Sequence, residues 1–210
     1  MFVGLYGGTF DPVHLGHIHV AQTVQAVLEM REIRWVLSAR PGHRQAPMTS
    51  VEHRWNMLNL VCDTIDGFVA DDIEILNPGL SYTYDTVVQM RRSSPELCPC
   101  WIVGHDSFTT LTSWYQWQAL LDECNLIVVE RPDQQCSTPD DVEAFERDRS
   151  CDRLVPNRVG QIVRLEAAML PVSATQVRAK VSSGGEFAHL LTPPVYTYIN
   201  DHQLYAEKAA

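Results

Sequence analysis

Apolar positions along the chain follow two patterns. Met1-Phe2-Val3-Gly4-Leu5-Tyr6, Ile33–Leu37, Cys100–Gly104 and Asn125–Glu130 are short, nearly continuous apolar runs, which predict buried strands. Gln161–Glu166 reads as one more strand, and Gly67–Leu76 as a strand region with Asp71, Asp72 and Glu74 facing solvent. Between these runs apolar residues recur at helical spacing: Val20, Ala21, Val24, Val27 and Leu28, then Trp55, Leu58 and Val61, then Trp117, Leu120 and Leu121, then Val177, Val181 and later Phe187. Strand and helix in alternation predict parallel strands and an α/β fold, Rossmann-like, with a mostly parallel sheet and helices on both faces.

Polar punctuation supports the same division. Ser50 and Ser173 precede apolar stripes as helix caps, and Ser81 or Thr83 caps a helix running to about Arg92. Asp106 precedes a short helix from Ser107 to Leu111, and Pro193-Pro194 opens the last helix. From Asp133 to about Gly160 the chain is polar, with Val142 and Phe145 hinting at a short helix. This predicts a surface excursion at about 133–160 within a single domain spanning 1–210.

The 210 residues, 45% hydrophobic and 20% charged, suffice for one full core. A net charge of −10 argues against nucleic acid as a partner, which calls for a basic face. Only Lys180 and Lys208 are lysines; the other fixed cations are arginines, suited to bidentate phosphate contacts. The chain starts in a strand-like run without a charged leader, and no apolar run reaches membrane-spanning length. The six cysteines form no CxxC pair and read as reduced thiols. These features predict a soluble cytoplasmic protein, monomeric or homo-oligomeric, without a membrane partner.

Candidate chemistry concentrates at Gly7-Gly8-Thr9-Phe10-Asp11-Pro12-Val13-His14-Leu15-Gly16-His17, a turn from the first strand into the first helix. Glycines let backbone approach a ligand, and a helix N-terminus offers unpaired N–H groups to phosphate. His14 and His17, three apart, share a helix face and can donate to phosphate oxygens. Structural zinc fits poorly, since His14, His17 and His19 have no Glu or Cys at ligand spacing. Taken one at a time, the remaining candidates each allow a bland reading: a solvated loop at Arg40-Pro41-Gly42-His43-Arg44, a cap at Thr83 or Asp106, core packing at Trp114 and Tyr115.

Taken together these segments resemble the HxGH nucleotidyltransferase superfamily, in the form carried by bacterial nicotinate-mononucleotide adenylyltransferases. The eleven-residue stretch is similar to the superfamily signature; Pro41-Gly42-His43-Arg44 resembles a PPH[KR] loop with Gly42 replacing the second proline. Ser81-Tyr82-Thr83, Gly104-His105-Asp106 and Thr112 to Tyr115 resemble the SYT, GxD and TWY segments, and Val172 to Arg178 resembles ISSTxxR with Ala174 replacing the second serine. The resemblance runs from Gly7 to about Tyr205. It implies adenylyl transfer from ATP to nicotinate mononucleotide, with Mg²⁺ bound mainly through the ATP phosphates and no protein metal site. It implies that His14, His17 and Arg178 are catalytic and that Gly7, Gly8, Thr9, Phe10, His17, Gly104, Asp106, Ser173, Thr175 and Arg178 bind ATP. Arg40, His43, Arg44, Thr83, Trp114 and Tyr115 would bind the mononucleotide, with Thr83 at the pyridine carboxylate. Other transferases of the superfamily, acting on nicotinamide mononucleotide, phosphopantetheine or a cytidylyl donor, and a non-catalytic nucleotide sensor are the alternatives.

Overall fold

A computed structural model describes residues 1–41, 46–130, 137–167 and 170–207. Strands β1 (Phe2–Gly8), β2 (Ile33–Leu37), β3 (Phe68–Asp71), β4 (Cys98–Gly104), β5 (Asn125–Glu130) and β6 (Ile162–Glu166) form one sheet. They are joined by α1 (Leu15–Val27), α2 (Val51–Cys62), α3 (Ile73–Leu76), α4 (Thr83–Ser93), α5 (His105–Phe108), α6 (Trp117–Glu123), α7 (Asp140–Arg147), α8 (Ala174–Ser182) and α9 (Pro193–Asp201). The strand order is β3-β2-β1-β4-β5-β6 and every pairing is parallel. The Rossmann-like expectation holds, with the sheet parallel throughout its described strands.

Side chains alternate between the two sheet faces, so each strand feeds two cores. On one face Ile102 and Ile127 pack with Ala21 and Val24 of α1, Met57 and Leu58 of α2, Val177 of α8 and Val195 of α9. On the other Leu5, Val103 and Val128 pack with Val87 of α4, Leu120 and Leu121 of α6 and Val142 of α7. Strand order reverses between β1 and β4, and in open parallel sheets ligands bind outside the C-terminal strand ends at that point. Gly7 and Gly8 end β1 there, and Gly104 ends β4.

Three expectations are corrected. The Gly67–Leu76 strand region is a four-residue strand followed by the single turn α3, because the Asp71 carboxylate accepts the Ile73 N–H and ends the strand. Glu74 is consequently buried instead of solvent-facing, and its Oε1 accepts from the Thr86 hydroxyl at 2.8 Å. Neither Ser81 nor Thr83 caps α4: Tyr82 holds the cap position without a side-chain bond, and Ser81 accepts instead from the Arg40 N–H. The short helix expected from Ser107 is α5, starting at His105 and capped by Gly104, so Asp106 lies inside its first turn and does not cap it. Within the polar excursion α7 forms where Val142 and Phe145 indicate it.

Candidate active site

Gly7 and Gly8 have internal reasons for being glycine. A Cβ on Gly7 would lie 2.3 Å from the Trp101 ring on β4, and one on Gly8 would lie 2.8 Å from the Phe10 ring. Phe10 itself turns the chain, at φ 46° in the left-handed region, and its buried ring meets His17 edge-on with centroids 5.1 Å apart. The sequence motif therefore builds its own turn before any ligand arrives.

His14 is the N-cap of α1 and His17 its third residue, and the two close a reciprocal cap. The His17 N–H donates to His14 Nδ1 at 3.4 Å, and the His14 N–H donates to His17 Nδ1 at 3.3 Å. The rings stack with centroids 3.7 Å apart. An Nδ1 that accepts carries no proton, so this hydrogen-bond pattern assigns both neutral rings the tautomer with Nε2–H as donor. Burial lowers the His14 pKa from 6.5 to about 4 and, with His14 adjacent, lowers that of His17 well below the ordinary value. At neutral pH the pair is two uncharged donors at a helix N-terminus, an arrangement suited to phosphate oxygens.

The segment leading into α8 reaches the same place. Ser173 caps α8, accepting from the Gln176 N–H at 3.1 Å. Arg178, one turn in, donates to the Asp11 carbonyl at 2.7 Å and to the Thr175 hydroxyl at 3.2 Å. Gly16 permits the approach, since a Cβ there would lie 3.2 Å from the Val172 carbonyl. Ser173 and Thr175 are exposed. The structure thus bonds Arg178 to the Asp11 peptide, three residues before His14 in the same turn.

At the end of β4, Gly104 brings the exposed Asp106 back over it: a Cβ on Gly104 would lie 2.7 Å from Asp106 Oδ1. The turn is braced by Arg164 of β6, which donates to Glu146 at 2.5 and 2.6 Å, pairs with Glu130 and lies 3.2 Å from His105 Nδ1.

Beside β2 stands a second group. Arg40 donates through its N–H to Ser81 Oγ at 3.2 Å and through its guanidinium to the Asn77 carbonyl at 2.7 Å, while Pro41 bridges Ser81. This carries Arg40 next to the start of α4, where Thr83 sits half-buried. Trp114 is half-buried against the α4/α6 core, and Tyr115 is 47% exposed with its ring 4.9 Å from that of Tyr82. Tyr82 and Tyr84 extend this aromatic wall; their flanking of Thr83 was the signal for them. His43 and Arg44, with Gly42, lie outside the described residues.

Arg54 ties the two groups together and was missed in the sequence. It is 1% exposed and donates to the carbonyls of Thr9 at 2.9 Å, Ser38 at 2.7 Å and Ala39 at 3.2 Å, clamping the ends of β1 and β2. Burial lowers its pKa, while Asp11 nearby favours the charge. Its signal was a cation in phase with the apolar stripe Met57, Leu58 and Val61.

A cavity of about 880 Å³, lined by Val181, Phe187, Tyr196, Ile199 and Leu204 between α8 and α9, contains none of these site residues. Among the described residues no cluster of three or more His, Cys, Asp or Glu could hold a metal ion, no helix is long and apolar enough to cross a membrane, and the cysteines are unpaired.

The cytidylyltransferase-like family profile matches residues 5–180. A Pseudomonas syringae protein named "Probable nicotinate-nucleotide adenylyltransferase" is 35% identical over 209 residues, covering 97% of this chain and 93% of its own. An Aeromonas salmonicida protein of the same name is 36% identical over 206 residues, covering 97% and 96%. The solved structure of Plasmodium falciparum nicotinic acid mononucleotide adenylyltransferase complexed with NaAD superposes with a TM-score of 0.76 at 18% identity, covering 97% of each chain, a likeness of fold.

Proposed function

The chain belongs to the cytidylyltransferase-like family and, within it, to the nicotinate-nucleotide adenylyltransferases, and we propose from that membership and the site geometry that it joins the adenylyl group of ATP to nicotinate mononucleotide, giving nicotinate adenine dinucleotide and pyrophosphate. In this reaction an oxygen of the mononucleotide phosphate bonds to the α-phosphorus of ATP, and the bond from that phosphorus to the β-phosphate breaks. The attacking phosphate is already anionic at neutral pH, so the protein supplies neither a base nor a covalent intermediate. It supplies position and charge stabilisation.

The observation that carries this reading is a pair of uncharged imidazole donors at the start of α1, with Arg178 bonded to the Asp11 carbonyl three residues before His14. His14 and His17 donate Nε2–H to oxygens of the reacting phosphates. Arg178, with Ser173 and Thr175, takes the departing β- and γ-phosphates. Backbone of Gly7 to Phe10 lies along the triphosphate, and Gly104 and Asp106 receive the adenosine ribose. Arg40, Thr83, Trp114 and Tyr115 hold the mononucleotide, with His43 and Arg44 from the adjoining sequence. Donors at Thr83 suit a pyridine carboxylate, whereas an amide would aim NH₂ at a donor, costing about 1–3 kcal/mol per unpaired group.

Mg²⁺ prefers oxygen ligands and neutralises charge on a leaving pyrophosphate. The side chains assigned to the phosphates are imidazoles, hydroxyls and a guanidinium, and the Asp11 carboxylate is taken up by Met48, Thr49 and Tyr205, so the donor set fits a cation carried on ATP phosphates. Unpaired buried thiols accord with a cytoplasmic setting.

The test is pyrophosphate release with ATP and, side by side, the mononucleotides of nicotinate and nicotinamide. The acid is expected to be preferred in kcat/KM at least about tenfold. Equal use overturns the acid-specific reading, and no pyrophosphate with either overturns adenylyl transfer.

A further inference from the structure

The segment after α9 reaches the catalytic turn through the Tyr205 side chain. Tyr205, beyond α9, donates its hydroxyl to Asp11 Oδ1 at 2.7 Å across 194 positions of sequence. The Thr49 hydroxyl donates to the same oxygen at 2.7 Å, and the Met48 N–H donates to Oδ2 at 2.7 Å. Asp11 is 5% exposed, so its carboxylate is satisfied by these three donors drawn from two remote segments. The carbonyl of the same residue accepts from Arg178. Whatever fixes the Asp11 carboxylate therefore also fixes the carbonyl that aims the guanidinium.

Tyr205 is held firmly enough to do this. Its backbone lies at φ 63°, a region a bulky residue keeps only when its surroundings determine it. Its side chain is buried, and burial together with Asp11 pushes its pKa far above the ordinary phenol value, so the hydroxyl remains a donor throughout the physiological range. Simple packing of this segment would be met by an apolar ring and would need no hydroxyl aimed at a buried anion.

We propose that Tyr205 is a positioning residue for pyrophosphate binding: it holds the Asp11 carboxylate and thereby fixes the Asp11 carbonyl against which Arg178 is set. The proposal rests on the reading of Arg178 as the contact to the departing phosphates. Tyr205 touches no substrate, and its effect passes through Arg178. It makes the turn after α9 part of the ATP site, although nothing in the local sequence around Leu204-Tyr205-Ala206 signals chemistry.

Tyr205→Phe removes the donor and keeps the ring. The dissociation constant for ATP, titrated without the second substrate, is expected to rise about three- to tenfold, as is KM for ATP, while KM for nicotinate mononucleotide stays within about twofold. Thr49→Val removes the other donor to the same oxygen and should give the same split. In an Arg178→Ala background Tyr205→Phe should not weaken ATP further. Unchanged ATP affinity, an equal rise in both KM values, a fall in melting temperature alone, or an additive loss in the Arg178→Ala background would each overturn the proposal. A wild type that forms no dinucleotide would fail the functional reading instead, and the ATP titrations would still decide the role of Tyr205.

Discussion

Replacing His14 by asparagine separates its titration from its cap. Asparagine is among the best N-cap residues, and its side-chain oxygen can accept the His17 N–H as His14 Nδ1 does now. What disappears is a buried imidazole whose pKa is lowered from 6.5 to about 4 by burial. Between these values the unfolded chain binds a proton that the folded chain refuses. The stability this residue contributes is thus complete above pH 6.5 and is lost as pH falls toward 4. A difference of about 2.5 pKa units at 1.36 kcal/mol each gives about 3 kcal/mol lost across that window. His17 adds to the loss in the same direction. Denaturant unfolding at pH 7.5, 6, 5 and 4 should therefore show the wild type losing about 3 kcal/mol more than His14→Asn. Parallel pH curves for the two proteins would refute the claim that His14 is buried uncharged, and with it the picture of two neutral donors.

Arg54→Met should leave three carbonyls without their shared donor and cost about 1–3 kcal/mol or more in denaturant unfolding, the range for a buried acceptor left unsatisfied; a loss below about 1 kcal/mol would count against the clamp. His17→Ala should lower kcat by roughly 10²–10³, the effect of losing one donor to developing charge, in a protein whose circular dichroism remains native. Thr83→Val should shrink the preference for the acid mononucleotide while leaving ATP affinity unchanged, read from the two kcat/KM values and an ATP titration. Arg178→Lys should recover only part of the ATP affinity lost in Arg178→Ala, because a point charge cannot reproduce two directed bonds to Asp11 and Thr175.

The strands were legible because parallel strands covered on both faces are continuous apolar runs; β2 and β5 begin and end where such runs do. The motif segments were legible as turns and caps, with Ser50 and Ser173 capping as expected. Their gathering follows from topology, since β1 and β4 end side by side and the segment entering α8 approaches α1 at Gly16. Glu74 was illegible because α3 is a single turn, too short for any periodicity, and its burial depends on Thr86 of a different helix. Arg54 left a trace that was not followed: a charge in phase with an apolar stripe is buried only if carbonyls await it. Tyr205 left none, because a contact spanning nearly the whole chain has no local pattern.

The central claim is direct transfer: the mononucleotide phosphate attacks the α-phosphorus while the protein only positions and stabilises. The stereochemical course at that phosphorus tests it. With an ATP analogue made chiral by sulfur at the α-phosphate, the configuration of the dinucleotide product can be read by phosphorus NMR. A single in-line displacement predicts inversion. Retention would mean two displacements through a nucleophile on the protein, and would contradict the account.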